Sequence, residues 1–426
     1  MTLADRSADF AGFDGWAYLN CAYHGPIPRA AEEALAAAVA LRRNPAFLSD
    51  RYHFSFPDAY RRAIAGLIGC GPGEVALTDS TTRGMMLLAG GLDWRDGDEV
   101  MIPRGEFPAN RLPWLWLGRR GVTVRVVDLG GGAGAAERIE AALTPRTRLV
   151  SVSWVGYSDG RRLDLGAISA LCRARGVLFA VDGSQGVGGL PLDLAATPCD
   201  LLACSGYKWL LGPYGLGFAY VAPALAERLE PADLNWFGME GAEDFNALAE
   251  LPLRPRPGAQ RFDANETANF FNVAAGTAAA RWLAGIGPAA VEAHCAALHR
   301  RLIAGLPSGF TPLGGFAPDA PAGTLRSNIL CLRGPDRDTT ARAFRLLRRR
   351  RVAVSSRESY LRVSPHLYNT LADVDRLLEA LTDAAAGRDA EGEPPPEPAD
   401  PRRRIEELLG SDGLAASGLN SAVYAT

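Results

Sequence analysis

Lysine is almost missing from this chain. The 45 basic residues are 44 arginines and a single lysine, Lys208. The two side chains are not interchangeable. A guanidinium stays protonated at any pH a protein meets, whereas a desolvated ammonium can lose its proton and attack a carbonyl as a free amine. A sequence that takes arginine for nearly every positive charge and lysine only once points to a task arginine cannot perform.

Other absences narrow the class. No run of about 18 apolar residues occurs, so no membrane-spanning helix is expected. The opening residues, MTLADRSADFAGFDGW, lack a cationic start followed by an apolar stretch, so no signal peptide is expected. The formal net charge of −3 gives no basic surplus for nucleic acid. The arginines are scattered or fall in short runs such as Arg348 to Arg351, which read as a solvated helix face. Seven cysteines at irregular spacing, with no C-x-x-C pair, fit a cytoplasmic protein better than a disulfide framework or a zinc site. His294 and His299 lie five apart and do not share a helical face, so no metal site is expected.

What is present is ordinary for a soluble globular protein. Apolar residues make up 48% and charged residues 22% of 426 positions, which predicts two or three globular units. From about 75 to 222, β-rich runs (EVALTD, DEVMIP, VTVRVVDL, RLVSVSW, VLFAVDG, DLLACS, GFAYV) alternate with helical stretches at 82–92, 109–119, 134–143 and 165–175. Several of these runs are apolar on both faces, which predicts an α/β fold with a mostly parallel sheet under helices. Further helices are expected at 30–43, 272–286 and 288–305, and residues 240–262 read as irregular connection. Beyond 322 the pattern predicts a smaller α+β unit, with strands at SNILCLR and near 352–355 and 359–363 and helices between and after them. The expected division is 1–29 as an N-terminal segment reaching the active site, 30–250 as a large domain, 251–385 as connection and small C-terminal domain, and 386–426 as a linker and disordered tail.

The chemistry concentrates in VDGSQGVGGLPLDLAATPCDLLACSGYKWLLGPYGLG. One apolar strand ends in Asp182, and Lys208 lies 26 residues on, just after a second. In an open parallel sheet ligands sit beyond the carboxyl ends of strands, so the two can converge on one crevice. A carboxylate and a lone amine there suit pyridoxal 5′-phosphate (PLP). Lys208 would take the aldehyde as a Schiff base, and Asp182 would keep the pyridine nitrogen protonated. The hydroxyl-rich turn TDSTTRG, between the strand EVAL and a helix, offers an anion site of free N–H groups. Simple N-capping is the plainer reading of the same residues.

Together with YLNCAYHGPIP and RVSPHLYNT, these stretches resemble the class V aminotransferase family, a group of fold-type I PLP enzymes that includes cysteine desulfurases, selenocysteine lyases, kynureninases and isopenicillin N epimerase-like proteins. The resemblance runs from about Tyr18 to about Leu381. It implies Lys208 as the Schiff-base lysine, Asp182 as the pyridinium partner and Gln185 as a donor to the phenolic oxygen. It implies Thr81, Thr82, Ser205 and Tyr207 as the phosphate cradle, and Phe107 as the aromatic stacked on the ring. Thr267 matches a residue that reaches the phosphate of a neighbouring subunit, which implies a homodimer with shared active sites. Arg362 would grip the α-carboxylate of an amino-acid substrate, with Tyr23 and Asn20 lining the pocket.

One departure bears on the reaction. Desulfurases carry a nucleophilic cysteine shortly before the substrate arginine, and this chain has VSSRESY there, with no cysteine after Cys331. The chemistry left open is transamination, β-elimination of a C–S or C–Se bond, kynureninase-like cleavage or epimerisation. Aminotransferase chemistry leads. Two readings of other classes compete. Gly130, Gly132 and Ala135 loosely match a dinucleotide fingerprint, but the next strand, RLVSVSW, ends in no acid suited to a ribose. A non-catalytic relative that binds without turnover would have no use for the intact Lys208, Asp182 and Arg362 set.

Overall fold

The computed structural model describes residues 6–388 apart from 131–133, 268, 320–323 and 358. The expected tail, from 389 on, and the middle of the glycine stretch therefore lie outside the described residues. Seven strands form the main sheet: β1 (Val75–Thr78), β2 (Glu99–Pro103), β3 (Thr123–Val127), β4 (Thr147–Ser153), β5 (Leu178–Asp182), β6 (Leu201–Ser205) and β7 (Gly217–Val221). Their order across the sheet is β1-β7-β6-β5-β4-β2-β3. All run parallel except β7, which is antiparallel to both neighbours. The α/β fold with a mostly parallel sheet is thus observed.

Helix α1 (Arg29–Arg43) precedes the sheet, and the apolar runs then do what a two-sided strand must do. In β5, Phe179 and Val181 join a core with Tyr60, Ile64 and Ile68 of helix α2 (Tyr52–Ile68). Leu178 and Ala180 point the other way, into a core with Met85 and Leu88 of helix α3 (Thr81–Gly91). The period of two sends alternate residues to opposite faces, and each fully buried aliphatic contributes about 1.5–3 kcal/mol. All five residues of β5 and of β6 are buried, so the helices cover both faces.

A second sheet of four strands, Thr311–Pro312 (β8), Leu330–Arg333 (β9), Ser355–Arg357 (β10) and Tyr360–Val363 (β11), is antiparallel throughout. Its core contains Leu346 and Leu347 of helix Arg337–Arg349 and Leu377 and Leu381 of helix Leu371–Ala385.

Three elements differ from expectation. Helix α2 is absent from the sequence reading, because YHFSFPDAY is aromatic and carries Pro57 inside the helix, where the ring removes a hydrogen bond. The helix expected at 109–119 is cut to Leu112–Trp116 between 3₁₀ turns, with Pro108 and Pro113 breaking the ladder. Residues Val352–Ala353 pair in parallel with Ala17–Tyr18 rather than joining the four-stranded sheet.

Candidate active site

The carboxyl ends of β1, β4, β5 and β6 open on one cavity of about 200 Å³. Lys208, Asp182, Gln185, Ser205, Tyr207, Thr81, Thr82 and Phe107 all line it. The sequence separation of Asp182 and Lys208 is absorbed by a crossover between adjacent strands, with Asp182 opposite Ala203 in register.

Lys208 is 8% exposed. Burial pushes its ammonium below the usual lysine range, and the Arg362 charge adds to this while Asp182 opposes it. Its Nζ stands 5.5 Å from the centre of the Phe107 ring. The Cys21 thiol donates to the Lys208 carbonyl at 3.7 Å. Gly25 donates its N–H to the Tyr207 carbonyl at 2.9 Å, so the N-terminal segment crosses the lysine's own backbone. A Cβ at Gly25 would stand 2.1 Å from the Lys208 oxygen, so only glycine fits this crossing.

Asp182 is buried, and desolvation raises its pKa. The Ser184 N–H donates to its Oδ1 at 2.9 Å and, with Lys208, pulls it partly back. A cationic ring N–H placed in the cavity would offset this burial and favour the ionised carboxylate.

The hydroxyl cluster sits at the N-terminus of α3. Ser80 caps the helix, its Oγ accepting from Arg83 N at 3.2 Å. The Thr81 hydroxyl meets Ser184 Oγ at 2.6 Å and Ser205 Oγ at 2.8 Å, and Thr81 N–H donates to Ser205 Oγ at 3.1 Å. Thr82 is exposed at the cavity edge, while the Thr81 and Arg83 N–H groups of the same turn are taken by Ser205 Oγ and Ser80 Oγ. Capping and anion binding are therefore divided among neighbours: Ser80 caps, while Thr81, Thr82 and Ser205 border the cavity. A helix can approach the sheet this closely because Gly84 packs on Ala203. A Cβ there would lie 2.5 Å from the Ala203 Cβ.

Gln185 donates from Nε2 to the Ala22 carbonyl at 3.0 Å and accepts from Trp209 Nε1 at 2.9 Å. One amide hydrogen is left for the cavity. Tyr207 packs on His24 and Tyr214, each at 4.7 Å between ring centres.

Four expected residues do not line this cavity. Arg362 lies behind it, 2% exposed, and reaches it through Tyr157, whose carbonyl accepts from Nη1 at 2.5 Å and whose ring does line the wall. Its Nη2 meets Ser355 Oγ at 3.4 Å, and its Nε has no partner among the described residues. Burial, helped by Arg357, pulls its pKa down to about 10. Among the described residues it forms no ion pair with a carboxylate. Asn20 accepts from Ser355 Oγ at 2.8 Å and so holds the arginine's neighbour. Tyr23 stands at the surface against His24. Thr267 lines a separate hollow with Arg51, His53 and Phe54.

Ser184, Tyr157 and Tyr214 line the cavity and were not singled out from the sequence. Ser184 had a signal, since it lies between Asp182 and Gln185 in VDGSQ. Tyr157 sits on an irregular loop and had none.

The fold and this cavity define a PLP-dependent enzyme of fold type I. A family model described as aminotransferase class-V matches residues 51–314. Isopenicillin N epimerase of Streptomyces clavuligerus is 32% identical over 392 residues, covering 87% of this chain and 94% of that protein. A probable cysteine desulfurase of Methanothermobacter thermautotrophicus is 36% identical over 196 residues, 46% of this chain and 49% of that protein. Among solved structures, the cystine C–S lyase C-DES in complex with cysteine persulfide superposes with a TM-score of 0.76 at 25% identity, covering 86% of this chain and 97% of that one. The chain belongs to the class V aminotransferase family, and its cofactor is PLP.

Proposed function

We propose that this protein transforms an α-amino acid by moving the proton at Cα, with transamination as the leading outcome. The observation that carries the reading is the meeting of Lys208, Asp182 and the Thr81–Ser184–Ser205 hydroxyl cluster in one cavity. PLP, when bound, supplies the electron sink that makes a Cα bond labile. The protein's own groups do the rest. Thr81, Thr82 and Ser205 with the α3 N-terminus cradle the phosphate. Asp182 holds a proton on the ring nitrogen, Gln185 donates to the phenolic oxygen, and Phe107 covers one ring face. Arg362 takes the substrate carboxylate in a planar fork. Lys208, its basicity eased by burial, takes the Cα proton on Nζ and returns it.

A protein thiol has no part in this. Burial raises the pKa of all seven cysteines, which disfavours a thiolate at each. The same seven are unpaired, which supports a reducing, cytoplasmic setting. We further propose a homodimer in which Thr267 serves the partner's phosphate site. Thr267 lines a hollow other than its own subunit's Lys208 cavity, which supports this.

Epimerisation is the second reading, favoured by the likeness to isopenicillin N epimerase over most of the chain. C–S β-elimination is the third, favoured by the likeness to the cystine lyase. A screen of amino acids against the PLP-loaded protein separates them. Keto acid with conversion to the pyridoxamine form supports transamination. Loss of optical activity without keto acid favours epimerisation, and pyruvate with a released thiol favours elimination. No change with any amino acid contradicts all three.

A further inference from the structure

The mechanism leaves one inward-turned carboxyl unused. Glu106 follows β2 and immediately precedes Phe107. Its Oε1 accepts from Ser153 N–H at 2.8 Å, and its Oε2 accepts from the Ser153 hydroxyl. Ser153 ends β4 and lines the cavity, directly opposite Asp182 in the strand register. One carboxylate thus clamps the strand end next to Asp182 and also sets the start of the segment that carries Phe107 over Lys208.

We infer that Glu106, acting through Ser153, is a positioning residue for the Asp182 end of the site and adds to it a negative charge that is present or absent according to pH. The charged and titratable groups around it allow this. Asp182 faces it from β5, while Arg104, Tyr157, Asp159 and Arg161 line the recess on its other side. Arg104 is turned to Asp128 and Arg161 to Asp159, both at 3.8 Å, so among the described residues no cation neutralises Glu106. Burial raises its pKa to about 7, the Ser153 contacts lower it, and the charge of Asp182 adds a smaller upward push. The coupling is reciprocal: an ionised Glu106 favours the proton at the Asp182 end. Above neutral pH Glu106 therefore adds a negative charge to that end, and below it the charge is absent.

The test uses wild type, E106Q and S153A, each without and with PLP. E106Q keeps an oxygen for Ser153 and cannot ionise. Without PLP, wild type should lose stability relative to E106Q as pH rises from the ordinary carboxylate range to about 7, because the folded state holds the Glu106 proton more tightly than the unfolded state. With PLP bound, the visible spectrum of wild type should show an inflection near pH 7 that E106Q loses and that S153A moves upward. Parallel stability curves, or an inflection that persists unmoved in E106Q, overturn the inference. Variants that melt lower with no change in either pH readout leave Glu106 a structural residue only, which also overturns it. The second arm rests on PLP binding. The first does not, so a protein that takes no PLP would refute the proposed function and still test Glu106.

Discussion

Arg362 Nη1 donates to the Tyr157 carbonyl at 2.5 Å, joining two residues 205 positions apart. The contact ties β11, in the four-stranded sheet, to the loop after β4, in the main one. It leaves the remaining donors of a buried guanidinium without a carboxylate among the described residues, which is the arrangement expected of a substrate-carboxylate site.

Replacing that fork tests it. In R362K the charge stays and the bidentate geometry goes, so kcat/KM for the best amino acid should fall about 10- to 100-fold, carried mainly by KM. R362A should lose about 10²- to 10³-fold, roughly 3–4 kcal/mol of transition-state binding. Steady-state kinetics reads both. Equal kcat/KM in wild type and R362A would remove Arg362 from the site.

Lys208 gives a pH prediction without cofactor. Its folded pKa is depressed, chiefly by burial. The unfolded chain therefore binds more protons, and stability should rise with pH between the folded value and the unfolded value of about 10.4. K208M, with no such proton, should lack that rise and should be more stable than wild type at neutral pH. Denaturant midpoints across the alkaline range measure it. Turnover by K208M should fall by at least about 10²- to 10⁴-fold.

The approach of α3 to the sheet gives a third. G84A places a Cβ 2.5 Å from that of Ala203, so the helix must move away. Overpacking of this kind costs about 1–3 kcal/mol. The N-terminal turn that borders the cavity moves with the helix, so PLP affinity should fall more than stability alone explains. Equilibrium binding of PLP to G84A and to wild type compares the two.

The dimer is tested by mixing. T267V and K208M should each be inactive or weak as homodimers. In a mixed dimer one site carries neither change, and activity should recover to about a quarter of wild type in an equal mixture of subunits at random pairing. No recovery, with exchange verified, contradicts a shared site.

Much of the site was legible in the sequence because it lies at strand ends. Asp182 and Lys208 each follow an uninterrupted apolar strand, and parallel topology then forces them to one edge. The Ser–Thr turn was legible for the same reason. What was missed depends on contacts between distant segments. Tyr157 acquires a role only when β11 brings Arg362 beneath it. Glu106 does so only when the end of β4 meets its loop. The Ala17–Tyr18 ladder with Val352–Ala353 joins segments whose local patterns carry no trace of the partner. Helix α2 was hidden by its own proline and aromatics, and its burial against the sheet offsets the weak local propensity.

The most direct measurement is reduction of the PLP-loaded protein with borohydride, followed by peptide mapping. With one lysine in the chain, the only other primary amine available is the N-terminus, so the result is unambiguous. The pyridoxyl mass should appear on the peptide that contains Lys208, and K208M should take none. Label elsewhere, or a protein that stays colourless with PLP supplied, would contradict the account.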